Sequence, residues 1–377
     1  MEIKQWRRLT GQCISLFLFL VVLCIGFSGD VFRQSTNTAM ADAEKEQEPA
    51  VPDITPPVST AEPTETKEIA DLQGDYIQIQ KQTAEGGKLY LSNDYVDKTL
   101  VLEVKGAQSA QVDLNGISRT YHGTVRIGKV QKKDAGDLFR KMEVTAKQEA
   151  GKKTYTVQYR WVLRTVTEAA LYETEDAYYV TLQDPRKLYD KIIVLDAGHG
   201  GDDEGTSSVD GRHEEKDYTS AIVELLRQLF EQDGRVKVYY TRLQDKEVTK
   251  KKRVELANSL QADLLVSVHC NASDYGDTSA QGIECLYSKR KTGSLSNKKL
   301  AKLLLQNVVK QTGRKKRGLV AREGLYLMHH AKVPASIVEV GYMTNASDMK
   351  YMSKERGRKK IAQGIYDAVL EALQLEQ

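Results

Sequence analysis

The hydrophobic period of the chain changes near residue 189, and this change limits the fold more than any other feature. Before it, short runs alternate apolar and polar residues, as in "YIQIQ", "TLVLEVKG" and "TYTVQYRWVL". Such runs, separated by Gly, Asn-Asp or charged turns, predict an all-β domain, a sandwich or small barrel, over residues 74–187. Because this region does not concentrate His, Asp, Glu or Cys, a structural role is expected for it.

After residue 187, apolar runs of strand length alternate with segments that have helical spacing. The predicted strands are "IIVL", "VKVYYTR", "DLLVSVHC", "GIECLYS" and "ASIVEVGY". Apolar residues recur at helical intervals in Ile222–Phe230, Arg253–Leu260, Leu300–Val308 and Ile361–Val369. Residues 188–377 are therefore predicted to form an α/β domain, a twisted sheet with helices on both faces.

The N-terminus carries a membrane-targeting pattern. Lys4, Arg7 and Arg8 precede the apolar run Cys13–Phe27. This pattern predicts a signal-anchor within residues 1–32, with the rest of the chain outside the cytoplasm, either membrane-anchored or secreted. Residues 33–73 hold five of the seven prolines and many Glu and Thr residues, which predicts a disordered, extended linker.

Bulk composition excludes some classes of protein. The net charge of +3 and the hydrophobic fraction of 40% are ordinary for soluble domains, and no nucleic-acid partner is expected. We expect a monomer. Basic clusters at Lys250–Arg253, Arg314–Arg317 and Lys354–Lys360 either attract anionic wall polymers or belong to solvated surfaces. Whether Cys270 and Cys285 pair is left open by the sequence.

Three polar side chains stand at or near the ends of predicted strands. His199 follows the first strand in "DAGHGG", His269 closes "LLVSVH", and Glu339 lies inside "SIVEVGY". In open α/β sheets, functional sites gather at the carboxyl ends of strands. A carboxylate among apolar neighbours needs a metal, another cation or a raised pKa. These residues are therefore candidates for one site.

Glu214 and Glu215 add a fourth candidate position at the start of the first predicted helix. Glutamates there are commonly capping residues or partners of the helix dipole, so a structural role is equally open. Two histidines and one glutamate are also the ligands of many hydrolytic zinc sites, which leave one position to water. The spacing alone leaves a metal hydrolase and a structural role open.

The order of the motifs resembles one enzyme family. "IIVLDAGHGG", "EKD", "YYTRLQD", "RVELAN", "ADLLVSVHCNAS", "GIECLYS" and "VPASIVEVGYMTN" follow each other as in zinc-dependent N-acetylmuramoyl-L-alanine amidases. The resemblance runs from about residue 191 to 373. It implies peptidoglycan as the substrate, a location at the cell wall, and hydrolysis of the amide between the lactyl group of N-acetylmuramic acid and L-alanine of the stem peptide. The position of residues 74–187 resembles that of the all-β targeting modules in some relatives, which implies a wall-targeting role for them.

The resemblance also implies residue roles. His199, Glu215 and His269 correspond to the zinc ligands, and Glu339 corresponds to the catalytic glutamate. Glu215 is preferred to its neighbour because lysine follows it directly, as in the family motif.

Other positions near these motifs have open roles. Asp196 either orients the imidazole of His199 or caps the turn. His329 stands near a place where family members often carry arginine, which leaves substrate contacts there undefined. The short stretch Ser273–Gly282 leaves little room for the inserted helix that plugs the zinc site in some relatives.

Two other functions stay open at this point. One is a zinc peptidase that cuts within the stem peptide, and the other is a non-catalytic wall-binding protein. Retention of all four site residues argues against the second function. Digestion products of peptidoglycan separate the amidase from the peptidase.

Overall fold

The computed structural model describes residues 64–65, 75–80, 86–108, 125–129, 139–175, 177–273 and 277–375. The predicted signal-anchor and nearly all of the predicted linker lie outside these residues. Within them, no helix combines the length and the apolar character that a membrane span needs.

The region before residue 184, called here the β region, consists of strands in its described parts. They are β1 (Thr64–Glu65), β2 (Asp75–Gln80), β3 (Lys88–Asp94), β4 (Thr99–Ala107), β5 (Val125–Lys129), β6 (Phe139–Gln148), β7 (Tyr155–Leu163), β8 (Glu168–Glu173) and β9 (Ala177–Gln183). They form a five-stranded sheet, β1-β8-β9-β2-β5, and a four-stranded sheet, β3-β4-β7-β6. Ile77 of the first sheet and Leu100 of the second share one core. The two sheets therefore pack face to face.

The α/β region after residue 184 alternates helices and strands as its periodicity predicts. The strands are β10 (Ile192–Ala197), β11 (Lys237–Tyr240), β12 (Leu264–Asn271), β13 (Ile283–Tyr287), β14 (Lys316–Ala321) and β15 (Ala335–Tyr342). The helices are α1 (Pro185–Leu188), α2 (Glu215–Asp233), α3 (Lys250–Ser259), α4 (Asn297–Thr312), α5 (Tyr326–His330), α6 (Ala346–Met352) and α7 (Glu355–Ala372).

These strands form one six-stranded sheet in the order β11-β10-β12-β15-β13-β14. Along β10, Ile193 and Leu195 pack on one face against α2, while Ile192 and Val194 pack on the other face. Helices α2, α4 and α7 cover the first face, and α3 and α5 cover the second. The predicted fold class, a sheet with helices on both faces, is confirmed.

Two details of the sheet differ from a simple α/β alternation. Strand β13 runs antiparallel to β15, so the sheet is mixed. Strand β14, "KRGLVA", was not predicted from the sequence, because its basic residues and glycine hide the strand pattern. Such residues are common on edge strands, where charge discourages pairing with other chains.

Candidate functional site

Strand β10 delivers His199 to the carboxyl edge of the sheet. All six residues of β10 are buried, and the chain leaves it through a turn with positive φ at three consecutive residues. The φ of His199 is 60°, and those of Gly200 and Gly201 are 127° and 62°. A left-handed residue with a side chain costs about 1–2 kcal/mol, so other contacts must hold this turn.

Two buried arginines hold the carbonyl groups of this turn. Arg253 donates from Nη2 to the His199 carbonyl at 2.7 Å and from Nη1 to the Ala197 carbonyl at 2.5 Å. Arg242 donates from Nε to the Ala197 carbonyl at 3.1 Å and from Nη2 to that of Gly198 at 2.8 Å. Because each carbonyl in the turn has a fixed donor, the left-handed backbone of His199 is stabilised.

Asp196 anchors this network and does not contact the imidazole of His199. Its Oδ1 accepts from Arg253 and from Thr241, each at 2.6 Å, and its Oδ2 accepts from Ser267 at 2.6 Å. Burial alone would raise the pKa of Asp196, but Arg253 and the two hydroxyl groups outweigh burial and lower it. Of the two roles left open for Asp196, orientation of the imidazole is therefore excluded.

Asp203 is the residue that orients His199. Its Oδ1 lies 2.7 Å from Nδ1 of His199, which leaves Nε2 to face the interior of the site. The role of Asp203 was not predicted from the sequence. The motif "GGDD" after His199 could have indicated this contact, because a carboxylate four residues after a histidine in a turn can reach its ring nitrogen.

Glu215, the first residue of α2, lies between the two histidines. Its Oε2 is 3.2 Å from Nε2 of His199, and its Oε1 is 2.9 Å from Nδ1 of His269. Backbone amides of Thr206 and Cys270 also donate to these two oxygens. The candidate ligand atoms of the three side chains all lie within 4.8 Å of one another.

The neighbouring glutamate has a different position. Glu214 is the N-cap residue of α2 without a side-chain capping bond, and it pairs with Lys216 at 3.3 Å. Lys216 also donates to the Gly201 carbonyl at 3.0 Å, so it ties α2 to the histidine turn. Glu214 therefore supports the site from outside, whereas Glu215 lies in it.

Glycines make room for this cluster. A Cβ on Gly198 would overlap the ring of His269, and one on Gly205 would stand 2.6 Å from Oε2 of Glu215. Any larger residue at these positions would push the side chains apart.

The charges within the cluster compensate each other. Burial alone would raise the pKa of Glu215, but the two imidazoles lower it far below its usual range. Burial opposes the charged form of His199, yet the hydrogen bond and charge of Glu215 outweigh burial and raise the pKa of this imidazole. The cluster therefore holds an ionised carboxylate out of water, and a bound metal ion would replace the imidazole protons that balance its charge.

Glu339 on β15 lies beside this cluster, in register with His269 of β12 and Glu284 of β13. Its Oε2 is sealed from solvent and accepts no hydrogen bond from the part of the chain that the structure describes. Burial, with the charges of Glu215 and Glu284, raises the pKa of Glu339 to about 7, although His269 opposes the rise. Such a carboxyl exchanges protons near neutral pH.

The donor set fits a divalent metal. Two imidazoles and one carboxylate converge, and the unpartnered oxygen of Glu339 lies beside them. Imidazole nitrogens and carboxylate oxygens are the ligands that zinc takes in catalytic sites, with one position left to water. His199, Glu215 and His269 could therefore hold zinc.

The structure corrects one expectation about surrounding residues and adds detail to others whose roles the sequence left open. Arg253 was grouped with a basic surface cluster but is 6% exposed and belongs to the turn network. Arg314 pairs with Asp348, and Arg317 lies 3.6 Å from Glu284. His329 is exposed on α5. Cys270 and Cys285 are both buried as free thiols and do not form a disulfide.

Comparison with known proteins identifies the family. The family model described as N-acetylmuramoyl-L-alanine amidase matches residues 193–371, a range that contains all four predicted site residues. The uncharacterized protein YqiI of Bacillus subtilis (strain 168) is 31% identical over 179 residues, which are 48% of this chain and 83% of that protein. The germination-specific N-acetylmuramoyl-L-alanine amidase of the same strain is 32% identical over 200 residues, 48% of this chain and 80% of that protein.

A solved structure is also similar. The N-acetylmuramoyl-L-alanine amidase from Clostridium difficile 630 is 30% identical, with a TM-score of 0.47, over 50% of this chain and 98% of that one. The family match and the two relatives, both covered over most of their length, lead to one conclusion. The chain belongs to the N-acetylmuramoyl-L-alanine amidase family.

Proposed function

We propose that this chain hydrolyses the amide bond between the lactyl group of N-acetylmuramic acid and L-alanine in peptidoglycan, with His199, Glu215 and His269 as zinc ligands. The observation that carries this proposal is the convergence of the three side chains beside Glu339. Family membership supports the substrate class. A zinc ion held there would polarise the substrate carbonyl and lower the pKa of a water molecule.

Glu339 is proposed as the general base and acid. Its carboxylate takes a proton from the attacking water as the water oxygen bonds to the carbonyl carbon. It then gives that proton to the alanine nitrogen as the carbon–nitrogen bond breaks. The products are a lactyl carboxylate and a stem peptide with a free amino terminus. Without a metal, burial raises the pKa of Glu339 to about 7. A zinc ion beside it would lower this pKa, so the carboxylate would be ionised and able to accept the proton.

The turn contacts support the precision of this site. Arg242 and Arg253 fix the backbone of His199, and Asp203 holds its Nδ1, so Nε2 points towards Glu215. Ligands fixed in this way need little reorganisation when a metal binds.

Product analysis tests the proposed reaction. The metal-loaded full chain in detergent is incubated with peptidoglycan, and the released fragments are identified by mass spectrometry. We expect intact stem peptides that begin with L-alanine and glycan strands that keep a free lactyl carboxylate. Cleavage between two amino acids of the stem would instead identify a peptidase, and the absence of any cleavage would indicate a wall-binding protein.

We also propose that the apolar run Cys13–Phe27 holds the chain at the cytoplasmic membrane, with the catalytic region on the outside. The basic residues before the run support this orientation. An extracytoplasmic position is consistent with a cell-wall substrate.

A further inference from the structure

A cleft of about 800 Å³ separates the β region from the α/β region. One wall is the outer face of the four-stranded sheet, where Ser92, Val101, Gln158 and Arg160 lie on neighbouring strands. The other wall is β11, the edge strand of the six-stranded sheet, together with the chain that follows it. This space is called here the β11 cleft.

Specific contacts hold the two walls together. Glu168 of the β region accepts hydrogen bonds from Tyr95 at 2.9 Å and from Tyr239 of β11 at 2.5 Å. Asp94 pairs with Lys246 at 2.9 Å. Tyr95 also packs against the core of the α/β region. Since the walls are joined by these buried and paired groups, the cleft is preformed.

The free edge of β11 offers backbone hydrogen-bonding groups to the cleft. The amides of Lys237 and Thr241 donate to carbonyls of the β10 side of the sheet, at 2.9 and 3.1 Å. Backbone groups of alternate residues in a strand point to opposite neighbours, so those of Val238 and Tyr240 point away from β10. Both residues line the cleft.

The side chains of the cleft favour a neutral ligand. Hydroxyl and amide groups of Ser92 and Gln158 line one wall. The charged lining residues are nearly balanced, with four cationic and three acidic side chains. Lys246 and Lys237 are already paired, with Asp94 and Glu168. A cleft of this kind gives little electrostatic attraction to a polyanion.

The cleft adjoins the turn that carries His199. Arg242 lines the cleft and donates to the Gly198 carbonyl at 2.8 Å. The carbonyl oxygen of Lys246 lies 2.5 Å from the position that a Cβ on Gly200 would take. A polymer bound in the cleft would therefore lie next to the backbone of the turn that carries His199.

We propose that the β11 cleft binds the N-acetylated glycan strand of peptidoglycan, alongside the muramic acid whose stem peptide is cut. This inference rests on the proposed function. An acetamido group presents one N–H and one C=O, which can pair with the outward backbone groups of β11 as an added strand does. Sugar hydroxyls match the neutral side chains opposite. The cleft thereby makes the β region part of substrate recognition.

Binding of a neutral N-acetylglucosamine oligosaccharide tests the inference, with the metal-loaded full chain in detergent. This probe carries the acetamido and hydroxyl groups of the glycan without its lactyl carboxylates. The test variant is Gln158→Ala with Arg160→Ala, and the matched control is Gln148→Ala with Arg140→Ala, two exposed residues of β6 outside the cleft. We expect the test variant to bind at least about tenfold more weakly, and the control to bind as the native chain does. A second variant, Ser92→Trp, fills the cleft and should also weaken binding.

Equal affinity for all four proteins would overturn the inference, as would native binding of a soluble anionic wall polymer in preference to the glycan. Failure of the proposed function is distinguishable, because it is measured by the cleavage products of the native chain. If the native chain cleaves the lactyl–alanine bond but the cleft variants bind glycan normally, only the proposed role of the β11 cleft is rejected. Glycan binding that the test variant weakens, without cleavage, rejects the proposed reaction alone.

Discussion

At the scale of single residues, Glu339 shows how position changes chemistry. The same carboxyl on the surface would be ionised and bonded to water. Between β12 and β13 it has a sealed oxygen and a pKa of about 7, since burial and two other acids oppose its charge. The residue is therefore expected to carry protons rather than to stabilise the sheet.

Glu339→Gln should lower hydrolysis of peptidoglycan by at least about a hundredfold, because glutamine keeps the shape but takes no proton. Zinc content and melting temperature should remain close to native. Dye release from labelled cell walls, elemental analysis and thermal melting of this variant measure the three quantities. A folded, zinc-loaded variant with near-native activity would remove Glu339 from the mechanism.

Glu215 and its neighbour Glu214 allow a test of the proposed zinc ligand with a matched control. Glu215→Gln weakens one of three ligands that lie within 4.8 Å of one another, so bound zinc should be lost together with activity. Glu214→Gln changes a half-exposed residue paired with Lys216, so zinc should be retained. Elemental analysis after dialysis decides the assignment, and the opposite pattern would show that the ligand is Glu214.

At the scale of elements, helix α3 and strand β10 cooperate to set the histidine turn. Helix α3 starts with Thr249 as its N-cap and presents Arg253 to the end of β10. The guanidinium satisfies Asp196 and two carbonyl groups at once. The geometry of the turn thus depends on the docking of a helix more than fifty residues later in the chain.

Arg253→Met should destabilise the fold by about 3–5 kcal/mol at pH 7, because it leaves Asp196 charged and buried without its cation. Urea unfolding in excess chelator measures this loss without a contribution from metal binding. Lys252→Met, a change at the exposed neighbour, is the control and should have an effect within about 0.5 kcal/mol. Similar effects of the two changes would contradict the role of Arg253.

The stabilities of the native chain and of the Arg253→Met variant should depend differently on pH. In the native chain the pKa of Asp196 lies below its unfolded value of about 3.9, so its stabilising contribution is present above that pH and is lost as the pH falls through the lower folded pKa. Without Arg253, burial dominates and the pKa of Asp196 rises. The stability difference between native and variant should therefore shrink from pH 7 towards pH 4. Urea midpoints that keep a constant separation would refute this linkage.

At the scale of the whole molecule, the β region precedes the α/β region that carries the candidate site, and we propose that the apolar run Cys13–Phe27 targets the chain to the membrane. We expect the chain to fractionate with membranes and its catalytic region to be degraded by protease added outside the cell, since basic residues precede the apolar run Cys13–Phe27. A variant without residues 1–32 serves as the control and should be absent from membranes. A mature N-terminus at Asp42 in the medium would show cleavage instead of anchoring.

The sequence by itself determined the class of the α/β fold and pointed to four site residues. The spacing of apolar residues indicates directly which residues are buried. Residues at strand or helix intervals lie on the same face of an element, and an apolar face packs into the core. The glycines around His199 and the acid inside "SIVEVGY" were visible for the same reason. Their roles came from family motifs and not from spacing.

Only the tertiary structure decided which groups support these residues. Asp203, and not Asp196, contacts the imidazole of His199. Arg253, which was expected on a basic surface, is buried in the interior. The antiparallel direction of β13 and the β11 cleft also could not be predicted from local sequence patterns. The physical reason is the same in each case. The sequence shows which side chains carry charge or can form hydrogen bonds, but their partners are determined only when distant elements pack together. A buried polar group without a partner then costs free energy, so these long-range contacts are required.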